Sequence, residues 1–213
     1  MCAAPGQPGG HFNAAYGLRF VPGLRDRVLD HFRRHGVSGW VHDLEPPLPG
    51  LEPESRTSIL GAHPGLIPDA PSIAGLTIRE VGPDEATTWE TIICNGFRLD
   101  GPVRAAWDAA ARGIAGIPGM HLLIAEIDGR AAAAAGLFTR ARIGGMAAAA
   151  VLPWARGRGV HGALISARAR LAETKACTFI TSQADIGSVS ERNLLRMGLE
   201  RLLVRGAYRV PAP

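Results

Sequence analysis

VLPWARGRGVHGALISARAR, residues 151–170, joins an apolar run to an Ala- and Leu-rich helical pattern through a loop in which arginine and glycine alternate. Glycines at 157 and 159 let the backbone turn tightly and approach a ligand closely. Arg156 and Arg158 set fixed positive charge beside the amides that open the next helix, where unpaired N–H groups and the helix dipole already favour an anion. That combination suits a pyrophosphate.

The segments around the loop have their own periods. Ahead of it lie three short apolar runs, MHLLIAEI, AAAAAGLF and MAAAAVL. Alanine is the best helix former and a poor strand former, so propensity alone predicts helix for the two alanine runs. Punctuation predicts strands instead. Asp128-Gly129 is a tight hairpin signal, Gly144-Gly145 marks another break, and the runs between are too short for stable isolated helices. After the loop, Val160, Leu164, Ala167 and Leu171 share one face of a helix reaching Lys175, and CTFITSQ reads as a buried strand. Ser188 and Glu191 predict a capping box for a helix that ends at Gly198, and LERLLV and AYRV predict two closing strands.

Upstream, IAGLTIREV predicts a strand. A helix follows, opened by Pro83, Asp84 and Glu85, with Ala86, Trp89, Ile93 and Phe97 on its apolar face. A second helix carries Val103, Trp107, Ala110 and Ile114 in register. Residues 73–213 therefore read as one α/β unit. Residues 1–10 are small, Pro- and Gly-rich and expected to be mobile. Residues 11–45 predict a small α/β segment, with HFNAAYGLRF and GWVHDLE as short strands around a helix that carries Leu24, Val28 and Phe32 and stops at Gly36. Prolines at 46, 47, 49, 53, 64, 68 and 71 argue against regular structure in 46–72, which reads as a linker or wrapped loop.

A chain of 213 residues, 46% hydrophobic and 20% charged, is of ordinary globular composition and long enough to bury a real core. The formal charge is +4 and Lys175 is the sole lysine, so nearly all positive charge is arginine, whose fork grips phosphate oxygens. This favours a phosphorylated small molecule, and no block of basic residues with interleaved aromatics marks a nucleic-acid groove. Cys2, Cys94 and Cys177 are too scattered for a disulfide framework or a CxxC site, and the histidines show no HxxxH or HxH spacing, so no metal is expected. With no apolar run long enough to span a bilayer and no signal-peptide pattern, a cytoplasmic protein without a membrane partner is expected.

The element order from residue 73, taken with the loop, resembles the GNAT superfamily of acyl-CoA-dependent N-acyltransferases. The family's coenzyme motif has the form Arg/Gln-x-x-Gly-x-Gly/Ala. Arg156-Gly157-Arg158-Gly159-Val160-His161 stands in its place, preceded by Pro153 and followed by Gly162, with histidine where the family has a small residue. SVSERNLLRMGL resembles the second motif, in which a helix asparagine contacts the coenzyme and a Gly-hydrophobic pair ends the helix; Asn193, Gly198 and Leu199 match it. The resemblance covers residues 73–213 and implies an α/β fold with a mixed, mostly antiparallel central sheet flanked by helices. The N-terminal segment is then a structural addition or a degenerate GNAT half, since VPGLRDRVLDHF faintly echoes LPWARGRGVHGAL.

The resemblance further implies acetyl-CoA as cosubstrate, without a metal, and an N-acetyltransferase that passes an acyl group to a primary amine of a small molecule or peptide by direct attack in a ternary complex. Pyrophosphate would sit on the loop from Arg156 to Gly162, with Asn193 as a further contact. Pantetheine would run along the small side chains of Ala147 to Ala150, and the thioester carbonyl would lie near the amide of Val151 or Leu152 as an oxyanion donor. The family's tyrosine that protonates the departing thiolate falls at Leu194 here. Tyr208 is a substitute or a packed strand residue. Glu80, His121 and Glu126 are candidate bases or solvated charges on alternate strand positions. His161 adds charge against phosphate or faces solvent as a neutral ring. Cys94 and Cys177 lie in apolar surroundings that disfavour thiolate, so no covalent acyl-enzyme is expected. Two other readings stand beside this one. A non-catalytic acyl-CoA-binding module would explain the missing tyrosine and the motif histidine; an arginine-mediated nucleic-acid binder predicts steep salt dependence and no coenzyme binding.

Overall fold

A computed structural model of the chain describes residues 14–17, 23–44 and 52–210. The segment expected to be mobile, residues 1–10 with Cys2, and the prolines at 46, 47 and 49 lie outside these residues. The first elements are β1 (Ala14–Tyr16), α1 (Leu24–Arg34), β2 (Gly39–Leu44), β3 (Ser55–Ala62) and β4 (Leu76–Val81). Then come α2 (Ala86–Phe97), α3 (Gly101–Ala115), β5 (Met120–Ile127), β6 (Arg130–Arg140) and β7 (Ile143–Val151). The chain continues through α4 (Val160–Thr174), β8 (Phe179–Asp185), α5 (Val189–Arg196) and β9 (Glu200–Val210). The strands join in one nine-stranded sheet of order β1-β2-β9-β3-β8-β7-β6-β5-β4, antiparallel except where β1 meets β2 and β7 meets β8.

The alanine runs are strands because both faces of the sheet are covered. Ala134 and Ala150 pack under α2 with Trp89 and Ile93, while Ala132, Ala133 and Ala135 face Val160 and Leu164 of α4. Small side chains on the strands let the helices come close, and Trp89 donates its indole N–H to the Ala135 carbonyl at 2.8 Å. The hairpin at Asp128-Gly129 forms with both residues at positive φ, 51° and 76°, as a primed turn requires. The next turn falls at Ala141 and Arg142, also at positive φ, and Gly144 and Gly145 pair with Thr139 and Phe138 inside β7 instead of breaking it.

Three further expectations are corrected. The segment 46–72 is not without regular structure: Ser55–Ala62 is a strand held between β8 and β9 in the middle of the sheet. Pro53 and Pro64 flank that run, and the run itself contains no proline, so every residue in it keeps its ladder donor. LERLLV and AYRV form a single strand, β9, because Gly206 continues the pairing with β2 and β3. In α3 Trp107 and Ile114 pack against the α2 core as expected, but Val103 is exposed and the fully buried positions are Ala106 and Ala111.

The N-terminal segment adds β1 and β2 to the β9 edge, and α1 places Val28 and Phe32 in a core shared with Val41 and Tyr208. β3 is fastened from the other side. Ser58, fully buried, donates its hydroxyl to Glu191 of α5, which also accepts from the Gly187 amide (2.6 Å) and from Arg201 Nη2 of β9 (2.5 Å). The capping box is thus half formed: Ser188 accepts from the Glu191 amide at 3.1 Å, whereas the Glu191 carboxylate serves Gly187, Ser58 and Arg201. Those donors hold the Glu191 carboxyl at about 2, the Ser58 hydroxyl first among them.

Candidate active site

β7 and β8 run parallel and pair at Ile143, Gly144 and Gly145, next to the start of both strands; beyond that point they separate. The divergence coincides with a bulge in β7. Ala135 pairs with Ala149 and Gly136 with Ala147, which leaves Ala148 as the extra residue at φ 25°. A groove of about 760 Å3 opens where the strands part, a volume in the range of small-molecule sites. Its walls are the end of β7 (Ala149 to Val151), the arginine–glycine loop, the first turn of α4, α5 from Val189 to Met197, and the end of α2 at Gly96 and Phe97.

The loop has the geometry its glycines suggested. Gly157 and Gly159 sit at φ 75° and 81°, and Gly159 is the residue from which α4 starts. A left-handed residue there turns the chain so that the opening amides of a fifteen-residue helix face the groove. Of the expected coenzyme residues, Ala150, Val151, Arg156, Gly157, Gly159, Val160, His161, Gly162 and Asn193 line this one groove. Leu152 and Arg158 do not. Arg158 is exposed beside Trp154, its guanidinium 5.9 Å from the ring centroid, with Arg130 on the same indole at 4.3 Å. Among the described residues no Asp or Glu lines the groove, whereas Arg156 and Arg196 do, so its field favours an anion.

Individual side chains depart from expectation. Arg156 donates from Nε to the Val151 carbonyl (3.1 Å) and from Nη2 to the Gly96 carbonyl (2.7 Å), so it ties α2 to the end of β7. α2 lies so close there that a Cβ on Gly96 would be 2.6 Å from that of Ala150. His161 is half-buried on the groove wall and neutral. Burial first, and the nearby Arg168 second, push its imidazole down to about 4. Arg196 donates to Asn193 Oδ1 (3.1 Å), which leaves Asn193 Nδ2 as donor to His161 Nδ1 (3.0 Å); the neutral ring therefore carries its proton on Nε2.

The oxyanion assignment narrows to one amide. Leu152 donates its N–H to the Ala132 carbonyl at 2.8 Å and is not available to substrate. By the alternation of an antiparallel ladder, the Val151 amide then points to the opposite edge, away from β6 and toward the groove. Its carbonyl, taken by Arg156, points the same way.

None of the candidate proton-transfer groups lines the groove. Glu80 accepts from His121 Nδ1 at 2.7 Å on the β4–β5 pair, and His121 Nε2 lies 3.2 Å from the Thr139 hydroxyl. Glu126 pairs with Arg79 at 3.6 Å. Tyr208 is buried in the α1 core. Between α2 and α3, ligand atoms of Glu90, Cys94 and Asp108 lie within 4.8 Å of one another. Burial raises both the Glu90 carboxyl and the Cys94 thiol, the latter to about 12, and the thiol donates to Glu90 Oε1 at 2.6 Å. Sequence reasoning missed the groove walls at Ala70 and Pro71, at Gly96 and Phe97, at Ala155, and on α5 and its end at Val189, Ser190, Arg196 and Met197. Only Arg196 carried a signal, one helical turn from Asn193.

No protein-family model matches the chain, and comparison with curated proteins finds no match. Solved structures do match. A GCN5-related N-acetyltransferase from Kribbella flavida superposes with TM-score 0.68 at 18% identity, over 93% of this chain and 79% of that one. One from Sphaerobacter thermophilus gives 0.69 at 16% identity, over 92% and 72%. The aminoglycoside acetyltransferase AAC(6')-Iy, in complex with the bisubstrate analogue CoA-S-monomethyl-acetylneamine, gives 0.52 at 21% identity, over 59% and 91%.

Proposed function

On the GNAT fold that the chain possesses, we propose that it transfers an acyl group, acetyl in the first instance, from coenzyme A to a primary amine. The observation that carries this is the groove itself: helix-opening amides behind two left-handed glycines, an adjacent strand edge released from its neighbour, and, among the described residues, no carboxylate in the lining. Pyrophosphate meets the loop and the start of α4. Pantetheine follows the small residues of β7, and the thioester oxygen faces the Val151 amide.

The amine nitrogen attacks the thioester carbonyl carbon and the carbonyl pair moves to oxygen, where the amide stabilises it. Collapse re-forms the carbonyl, breaks the C–S bond and releases coenzyme A thiolate, which takes up a proton while the new amide loses one. Water carries these protons, since none of Glu80, His121, Glu126 or Tyr208 lines the groove. Calorimetric titration with coenzyme A, followed by thiol release from acetyl-CoA across a panel of amines, tests the proposal. Absence of coenzyme binding defeats it entirely.

A second reading, a module that binds acyl-CoA without turnover, has one observation in its favour: Leu194, where the family has its tyrosine, is a core side chain with no proton to give. Tight coenzyme binding with thiol release no faster than in buffer, for every amine tested, would select this reading.

A further inference from the structure

Arg168 is 1% exposed, on α4, two turns beyond His161. Among the described residues no carboxylate offsets its charge, and burial alone pushes the guanidinium down to about 10, which leaves it protonated at neutral pH. A buried charge without a counter-ion is costly, and well-packed apolar side chains commonly replace such groups without loss of stability. Its partners explain where it sits. Nε donates to the Leu164 carbonyl at 3.0 Å, one turn back, while Nη1 reaches across to the Gly136 carbonyl (3.5 Å) and the Ala147 carbonyl (3.4 Å).

Those two carbonyls belong to the residues paired immediately beside the bulge at Ala148. A bulge interrupts the ladder and bends the strand that carries it. The guanidinium approaches that point from α4, close to the carbonyls of the pair next to the bulge. It bridges both strands with one nitrogen, at the point from which β7 proceeds to Ala149, Ala150 and Val151 in the groove wall.

We infer that Arg168 is a positioning residue of the acyl site: by its contacts to the Gly136 and Ala147 carbonyls at the bulge it fixes the course of β7 that presents the Val151 amide to the thioester oxygen. The inference rests on the coenzyme reading above. It assigns Arg168 to the placement of the thioester more than to affinity for the coenzyme, because its hydrogen bonds go to Leu164 and to the carbonyls at the bulge and none goes to the loop.

The test is isotope-edited infrared spectroscopy of acetyl-CoA labelled with carbon-13 at the thioester carbonyl, bound to the native chain, Arg168→Met and Arg168→Lys, with coenzyme A affinity measured in parallel. In the native chain the carbonyl band moves below its position in buffer. Arg168→Met loses at least about half of that displacement while the Kd for coenzyme A changes less than about threefold. Arg168→Lys keeps the charge but not the fork, and retains an intermediate displacement; if Arg168→Met does not fold, this variant carries the comparison. A native displacement that persists unchanged in the folded variants overturns the inference, as does a native band that never moves, and in both cases the coenzyme reading survives. Failure of the native chain to bind acetyl-CoA overturns that reading and the inference together.

Discussion

Glycine 159 and histidine 161 bear the most distinctive chemistry at the scale of single residues. Gly159 lines the groove at φ 81°, a conformation an L side chain adopts only with strain, and a Cβ there would meet Ile73 Cδ1 at 3.5 Å. Arg158 is exposed and does not line the groove. Gly159→Val is therefore expected to weaken coenzyme A binding by more than Arg158→Ala, which should cost no more than about 1 kcal/mol. Equal affinities in calorimetry would contradict the phosphate-loop assignment. The lowered imidazole of His161 has a consequence for stability. Its folded value of about 4 lies below the usual 6.5. As pH falls through that window the unfolded chain takes up a proton that the folded chain refuses, so stability drops with acidification and levels off near the folded value. Between about pH 7 and pH 5 the native chain should lose roughly 2 kcal/mol more than His161→Gln in urea denaturation. Parallel losses would show that this ring does not titrate as assigned.

Among the elements, α5 shows how one short helix can serve two neighbours. Its eight residues are opened by Ser188, whose hydroxyl accepts the Glu191 amide, and the Glu191 carboxylate leaves the helix to hold Ser58 of β3 and Arg201 of β9. The same helix presents Asn193 and Arg196 to the groove. Ser188→Ala removes the cap and is expected to cost about 1 kcal/mol of stability. Because α5 forms one groove wall, the variant should also bind coenzyme A more weakly. A loss of stability with coenzyme affinity unchanged would mean that the wall is held by Glu191 alone. α2 and β7 meet at the opposite lip, where Gly96 lies against Ala150 and Arg156 bonds both backbones. There the first arginine of the motif acts as a structural tie.

For the molecule as a whole, the placement of β3 matters most. It separates β8 from β9 at the centre of the sheet, and its Ser58 is a partner of Glu191. The unit recognised in sequence at 73–213 lacks this strand. A chain beginning at residue 73 would expose two strand edges in the interior of the sheet and leave the Glu191 carboxylate short of a donor. Such a chain is expected to show no cooperative thermal transition and no coenzyme A binding. A cooperative transition with native affinity would show that β8 and β9 close the gap by themselves.

The features legible in the sequence are those set by residues close along the chain. Left-handed glycines at 157 and 159, the primed turn at Asp128-Gly129, the Ser188 cap and the helices α1, α2 and α4 each follow from backbone sterics or from patterns spanning a few residues, and each is in place, although Phe97 of α2 is exposed and α4 is buried beyond its expected face. Once turn chemistry outweighed helix propensity, even the alanine strands could be read. What only the tertiary structure decided depends on groups distant in sequence. Residues 55–62 became a central strand because two partner strands more than a hundred residues away supply their hydrogen bonds, and flanking prolines constrain only their own positions. The neutral state of His161, the use of Arg156 on two carbonyls and the buried charge of Arg168 arise in the same way. In each, burial and a backbone partner brought from another element determine what the side chain can do, and neither is encoded in the neighbouring residues.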